Sequence, residues 1–122
     1  MLSVLNGLQE IKEDEDKSIL VAVHDAARPC LDLKDLLGLM DKAQDEIKED
    51  GEGCYLSYQP TDSVNLVKNE KVQKSLDRNN VWLSATPQVF CLEDLLSALT
   101  KANDDEKVFT DEVSAMLHYF KK

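Results

Sequence analysis

Apolar positions recur in two alternating rhythms along these 122 residues. Leu2, Val4, Leu5, Leu8 and Ile11 return every three or four positions and predict one helical face, which runs into a solvated acidic segment from Glu10 to Lys17. Residues 18–23 form a short β-branched apolar run, the mark of a buried strand. Pro29 breaks the chain. Helical spacing then returns from Leu33 to Lys48 through Leu33, Leu36, Leu37, Met40, Ala43 and Ile47, with the leucines and Met40 expected in the core. Gly51 and Gly53 are expected to end that helix and Cys54 to Tyr58 to form the next strand, with Tyr55 and Tyr58 as packing residues. Val64, Leu66 and Val67, a polar stretch from Lys68 to Lys71, and then Val72 and Leu76 predict a two-stranded arm over residues 61–76. Trp82, Thr86-Pro87-Gln88 and Phe90 lead into a helix from near Leu92 that carries Leu95, Leu96 and Leu99. A last helix follows Thr110, capped by Thr110 or Asp111, with Val113, Met116, Leu117 and Phe120 on its apolar face. Alternating strands and helices predict an α/β domain.

Composition narrows the class. A hydrophobic content of 43% and a charged content of 31% suit one small folded domain. No apolar run approaches the roughly 20 residues that cross a bilayer and no signal peptide opens the chain, so a cytoplasmic protein without a membrane partner is expected. Cys30, Cys54 and Cys91 lie far apart without CxxC spacing and are expected to be reduced thiols rather than zinc ligands or a disulfide framework. A formal net charge of −10 argues against nucleic acid as a partner, because that binding needs a basic surface. An anionic nucleotide would need a local cationic pocket against this field.

Candidate chemistry concentrates where the first strand ends, at His24-Asp25-Ala26-Ala27-Arg28-Pro29. Ligands of α/β proteins sit beyond the carboxyl ends of the strands. There Asp25 offers hard oxygen ligation to a divalent metal, and Arg28 either orients that carboxylate or meets a phosphate. Spacing alone leaves a second reading open, in which Asp25 and Arg28 only pair with each other and cap the following helix.

Three further blocks follow in order: Pro60-Thr61-Asp62-Ser63, then Asp77-Arg78-Asn79-Asn80-Val81-Trp82-Leu83-Ser84-Ala85-Thr86-Pro87-Gln88, then Thr110-Asp111-Glu112-Val113-Ser114-Ala115. Together with the first, they resemble the 2-C-methyl-D-erythritol 4-phosphate cytidylyltransferases, whose pattern runs VHDAARP, D-T-x-K, DRxxLWxAxTPQ and TDEAS. The resemblance extends from about Ser3 to about Ala115. It implies a partial Rossmann-like nucleotidyltransferase fold with a mostly parallel sheet and a protruding β-arm. It also implies cytidylyl transfer from CTP to methylerythritol phosphate, with pyrophosphate released and Mg2+ as the divalent cation.

Roles carry over by position. Asp25 matches the metal-contacting aspartate, and Arg28 the arginine that organises the pocket. Ser3 and Ala26 match positions near the cytidine nucleotide. Arg78 matches the arginine that positions methylerythritol phosphate, a task suited to the two parallel hydrogen bonds of a guanidinium. Ser63, Thr86 and Thr110 match hydroxyls lining the same pocket. His24 is read as supporting the turn, and His118 has no assigned role. In the resembled family the arm reaches across to a second subunit, so the resemblance implies a homodimer in which residues 61–76 complete the partner's site.

Departures and absences complete the reading. Ser63 stands where the family has threonine, and Asn65 where it has lysine. None of the four glycines forms the family's GGGxGxRM triphosphate loop. Residues 1–122 are accordingly expected to be a single truncated nucleotidyltransferase domain, a central fragment whose Met1 is not the native start and which turns over little alone. Two alternatives stay open: a pentitol-phosphate cytidylyltransferase, whose usual HDAVRPF differs from the His24 to Cys30 segment here, and a noncatalytic dimerising or binding fragment.

Overall fold

The computed structural model describes residues 2–14, 19–48 and 53–120. In chain order the elements are α1 (Leu2–Asp14), β1 (Leu20–Val23), α2 (Leu33–Lys48), β2 (Gly53–Tyr58), β3 (Val64–Lys68), β4 (Lys71–Leu76), a 3-10 turn (Arg78–Asn80), β5 (Leu83–Cys91), α3 (Leu92–Asp104) and α4 (Glu112–Phe120). The second helix has the bounds its spacing predicts. Ser18, at the expected start of the first strand, lies outside the described residues, as does Gly51.

The three-stranded sheet has the order β1-β5-β2, and β5 runs antiparallel to both neighbours. The expectation of a mostly parallel sheet is therefore corrected: every ladder among the described residues is antiparallel. The physical reason is insertion. β1 and β2 do point the same way and are joined through α2, but β5 takes the place between them and carries the hydrogen bonds of both.

That central strand is not expected from the sequence, where Trp82, Thr86-Pro87-Gln88 and Phe90 read only as a lead into the helix near Leu92. Pro87 inside a run argues against an interior strand, since it has no ladder donor. The structure accommodates it at an irregularity. Between the pairs Tyr55↔Gln88 and Ser57↔Ser84, three β5 residues face Leu56 alone, so residue 87 owes no ladder bond.

Alternation along β5 sends side chains to two cores. Phe90 joins Leu5, Leu8, Val21, Leu95, Leu99 and Met116 beneath α1, α3 and α4, while Val89 meets Leu39 and Ala43 of α2 on the other face. Helices therefore cover both faces, the α/β arrangement expected. Leu2 and Ile11, placed on the buried face of α1 by spacing, are instead 61% and 38% exposed, so Leu5 and Leu8 anchor that helix.

Gly53 does not end α2; it opens β2 at φ +150°, where an added Cβ would collide with the Val89 carbonyl and the Phe90 ring. Nor does Asp25 cap α2. Asp32 does, its Oδ1 accepting from Lys34 N at 2.7 Å and Asp35 N at 3.3 Å. β3 and β4 pair from Val64↔Leu76 to Lys68↔Lys71 and form the expected arm. Asn69 and Glu70 turn it with φ of 52° and 62°, the left-handed pair that a two-residue hairpin of matching twist requires.

Candidate active site

β1 ends at Val23 opposite Gln88, and His24 and Asp25 just beyond it meet Thr86 of β5 directly. Asp25 N donates to Thr86 Oγ1 at 3.0 Å. His24 bridges the same hydroxyl, with Nδ1 3.1 Å from Thr86 Oγ1 and Nε2 2.8 Å from the Arg28 carbonyl. Inside the turn, Asp25 Oδ1 accepts from Ala27 N at 2.9 Å and Asp25 O from Arg28 N at 3.0 Å. Arg28 Nε stands 3.9 Å from Asp25 Oδ2, both side chains about half exposed. The pairing half of the bland reading is thus present and the helix-capping half is not. An exposed ion pair contributes little; the hydrogen bonds to Thr86 hold the turn.

Beside this turn opens a cleft of about 400 Å³, lined by His24, Arg28, Asp32, Asp35, Leu56 and Thr86 among others. Asp25 and Ala26 flank it. Arg28 is the cation of its wall, set against Asp32 and Asp35 and the nearby Asp25. An anionic ligand here needs further positive charge.

Asp25 bears on the metal question. One half-exposed carboxylate, its Oδ1 already receiving one N–H, fits the way Mg2+ is held by one or two carboxylates together with substrate phosphates. It does not make an all-protein cage: among the described residues no group of three or more His, Cys, Asp or Glu is placed to hold an ion.

The remaining sequence candidates stand elsewhere. Arg78 Nη1 donates to the Thr61 carbonyl at 2.6 Å, fixing the guanidinium at the base of the arm near Ser63. It makes no pair with Asp77, whose carboxylate instead caps the 3-10 turn through Asn79 N. Thr110 lies on the α4 side of the sheet, its Oγ1 3.2 Å from Ser114 Oγ. Ser3 is exposed near the start of α1. Ser3, Ser63, Arg78 and Thr110 do not line this cleft.

Gln88 carries more than its sequence suggests, and of the two caps expected for α4 it is Asp111 that serves. Gln88 is 1% exposed; its Nε2 donates to Asp111 Oδ2 at 3.1 Å and Ala85 O at 3.3 Å, and its Oε1 accepts from Val113 N at 3.1 Å. Asp111 caps α4 through Ser114 N and Oγ. Burial pushes its carboxyl upward, but the bonds from Ser114 and Gln88 outweigh that and hold it below the ordinary value. Asp32 was legible in principle, as an aspartate just before the first periodic residue of a helix. Nothing local marked Gln88, because its partners are 23 and 25 residues away.

The sequence model described as IspD, 2-C-methyl-D-erythritol 4-phosphate cytidylyltransferase, matches residues 1–120. The enzyme of that name from Ruthia magnifica is 33% identical over 118 residues, covering 97% of this chain and 48% of its own length. That of Haemophilus influenzae strain PittGG is 38% identical over 118 residues, covering 93% and 47%. This chain thus spans about half the length of these relatives. Among solved structures, the Francisella tularensis enzyme superposes with a TM-score of 0.82 at 31% identity, over 96% of this chain and 53% of that one. The Anaerococcus prevotii structure, at 23% identity and a TM-score of 0.79, shares the fold over 99% and 50%. The fold is α/β and nucleotidyltransferase-like, and no helix among the described residues is long and apolar enough to cross a membrane. The chain belongs to the 2-C-methyl-D-erythritol 4-phosphate cytidylyltransferase family.

Proposed function

We propose that the protein transfers cytidylyl from CTP to 2-C-methyl-D-erythritol 4-phosphate, a step of non-mevalonate isoprenoid synthesis, in the cytoplasm. The observation that supports this reading is the Asp25 to Arg28 turn tied to Thr86 beyond the end of β1, in a chain matched to the family over residues 1–120. A phosphate oxygen of the polyol substrate attacks the α-phosphorus of CTP. The new P–O bond forms as the bond to the β-phosphate breaks, and pyrophosphate departs with that electron pair.

Asp25 would hold Mg2+, which supplies charge neutralisation on phosphate oxygens when bound. Arg28 keeps the Asp25 carboxylate oriented. Ser3 and Ala26 face the cytidine nucleotide in this reading. Arg78 grips the methylerythritol phosphate through its free guanidinium edge, while Ser63, Thr86 and Thr110 offer hydroxyls around the polyol. Arg78 and Ser63 belong to the arm base, so a homodimer with exchanged arms brings them to the Asp25 cleft of the partner.

The test pairs two measurements. Pyrophosphate release with CTP and Mg2+, low as it is expected to be without the triphosphate loop, should require methylerythritol phosphate and should not follow from a pentitol phosphate; equal rates would refute the substrate. Asp25→Asn and Arg78→Ala should each abolish turnover, and mixing them should restore about a quarter of it, because half of randomly paired dimers then carry one intact composite site. No recovery on mixing would refute the shared site.

A further inference from the structure

We propose that His24 is a positioning residue that sets the polarity of the Thr86 hydroxyl, so that Thr86 offers the cleft a lone pair and receives a hydroxyl of the polyol rather than a phosphate oxygen. The ligand's identity rests on the cytidylyltransferase reading; the direction of the hydrogen bonds does not.

Donors and acceptors around the ring fix its tautomer. The Arg28 carbonyl only accepts, so the His24 Nε2 that lies 2.8 Å from it carries the ring hydrogen. Neutral imidazole has one such hydrogen, and Nδ1 is therefore bare. A hydroxyl has one hydrogen and two lone pairs. Asp25 N–H fills one lone pair of Thr86 Oγ1 at 3.0 Å. The hydroxyl hydrogen has an acceptor at 3.1 Å in Nδ1. One lone pair is left, and Thr86 forms part of the cleft wall, where a ligand can reach it.

A phosphate oxygen has nothing to donate and would meet that lone pair with its own. A hydroxyl of the polyol donates and fits. The phosphate is thereby directed away from Thr86, towards cationic groups. His24 touches neither substrate nor metal in this scheme; it acts through Thr86 alone, and the tie to Arg28 O keeps its ring from turning over.

Two variants separate the halves of the bridge. His24→Asn places Oδ1 where Nδ1 stands and keeps the acceptor for Thr86, losing the tie to Arg28. His24→Gln places an amide nitrogen near Nε2 and keeps the tie, losing the acceptor. With the pyrophosphate assay, His24→Gln should raise KM for methylerythritol phosphate about threefold to tenfold, the range of one neutral hydrogen bond, leaving kcat and KM for CTP within about twofold. His24→Asn should restore the parental KM. Equal rises in both variants, or a fall in kcat alone, would overturn the proposal.

Imidazole nitrogen spectra of the ligand-free, isotopically labelled protein give the second readout, with the His24 signals assigned by their loss in His24→Asn. They should show a single Nε2–H tautomer. An Nδ1–H tautomer overturns the inference whatever the activity. If the parent protein releases no pyrophosphate with any acceptor, as expected of a chain without the triphosphate loop, the spectrum alone decides the role of His24; release with a pentitol phosphate but not with methylerythritol phosphate sinks the substrate reading and leaves the tautomer test standing.

Discussion

Replacing Gln88 with glutamate changes one donor into an acceptor inside a buried clip, and its cost can be worked from the structure. Val113 N–H only donates, so the Gln88 atom facing it at 3.1 Å is oxygen, and glutamate preserves that bond. The other side-chain atom now faces Asp111 Oδ2 at 3.1 Å and Ala85 O at 3.3 Å, two acceptors. Two carboxylate charges at that separation repel by about 5 kcal/mol at an effective dielectric of about 20. A cheaper escape exists. Taking up a proton at pH 7 costs a glutamate of ordinary pKa near 4.3 about 3.7 kcal/mol, after which its O–H can donate to Asp111. The smaller cost governs, so Gln88→Glu should destabilise by about 3–4 kcal/mol at pH 7.

The sign with pH is the sharper signature. In the parent, the Asp111 pKa is lowered, so its contribution is fully present above the unfolded value and is lost only as pH falls through the still lower folded value. Between pH 7 and pH 5 it is flat. In the variant the shared proton has a raised folded pKa, so each unit of acidification above pH 4.3 recovers about 1.4 kcal/mol, leaving about 1 kcal/mol of destabilisation near pH 5. Denaturant titrations of both proteins at the two pH values measure this directly. A difference below about 1 kcal/mol at pH 7, or one that stays constant to pH 5, would show that the Gln88 amide does not donate to Asp111.

Gly53→Ala forces a Cβ into the Val89 carbonyl and the Phe90 ring at a φ of +150°, and should cost about 3 kcal/mol or more in denaturant titration. Glu106 holds φ 53° while Lys107 N reaches Ala102 O and its own N reaches Asn103 O, a helix ending that favours glycine. Glu106→Gly should accordingly raise stability by about 0.5–1 kcal/mol, and a loss would refute that reading. The Tyr119 hydroxyl, pushed up to about 12 by its bond to Asp105 with burial and the Asp105 and Asp104 charges adding, should ionise only near that pH in ultraviolet titration. Its raised pKa means that its stabilising contribution is complete below about pH 10 and fades as pH rises towards 12, a dependence that Tyr119→Phe should remove.

What the sequence made legible was whatever lies within one element. The bounds of α2 follow from leucine spacing with Asp32 ahead of it, and the arm follows from two apolar stretches around a polar turn. The turn at Asp25 was placed correctly because a strand end next to charges is itself a local pattern. Sheet direction was not legible, since neighbours in the ladder are set by which strand fills a gap, and β5 begins 25 residues after β2 ends. β5 itself was hidden by Thr86, Pro87 and Gln88, polar or donor-less residues at the centre of a buried strand. Arg78 shows the limit for sites: its motif marked it, but only coordinates place it against Thr61 at the arm base rather than in the Asp25 cleft.

Those three central residues of β5 explain why a strand so poorly patterned holds the middle of the sheet. Thr86 takes the hydrogen bond of Asp25 N and touches His24 on the cleft side. Gln88 takes Val113 N and Asp111 on the α4 side. Pro87 between them sits where three β5 residues oppose Leu56 alone, so its missing N–H breaks no ladder bond. Polar side chains at 86 and 88 are tolerable in a central strand only because each is satisfied by a distant loop, and each loop is in turn fixed by that bond. The irregularity in the ladder is thus what lets one strand position the turn that carries Asp25 and the start of α4. A regular, apolar β5 would pair better with β2 and leave both segments without their anchor.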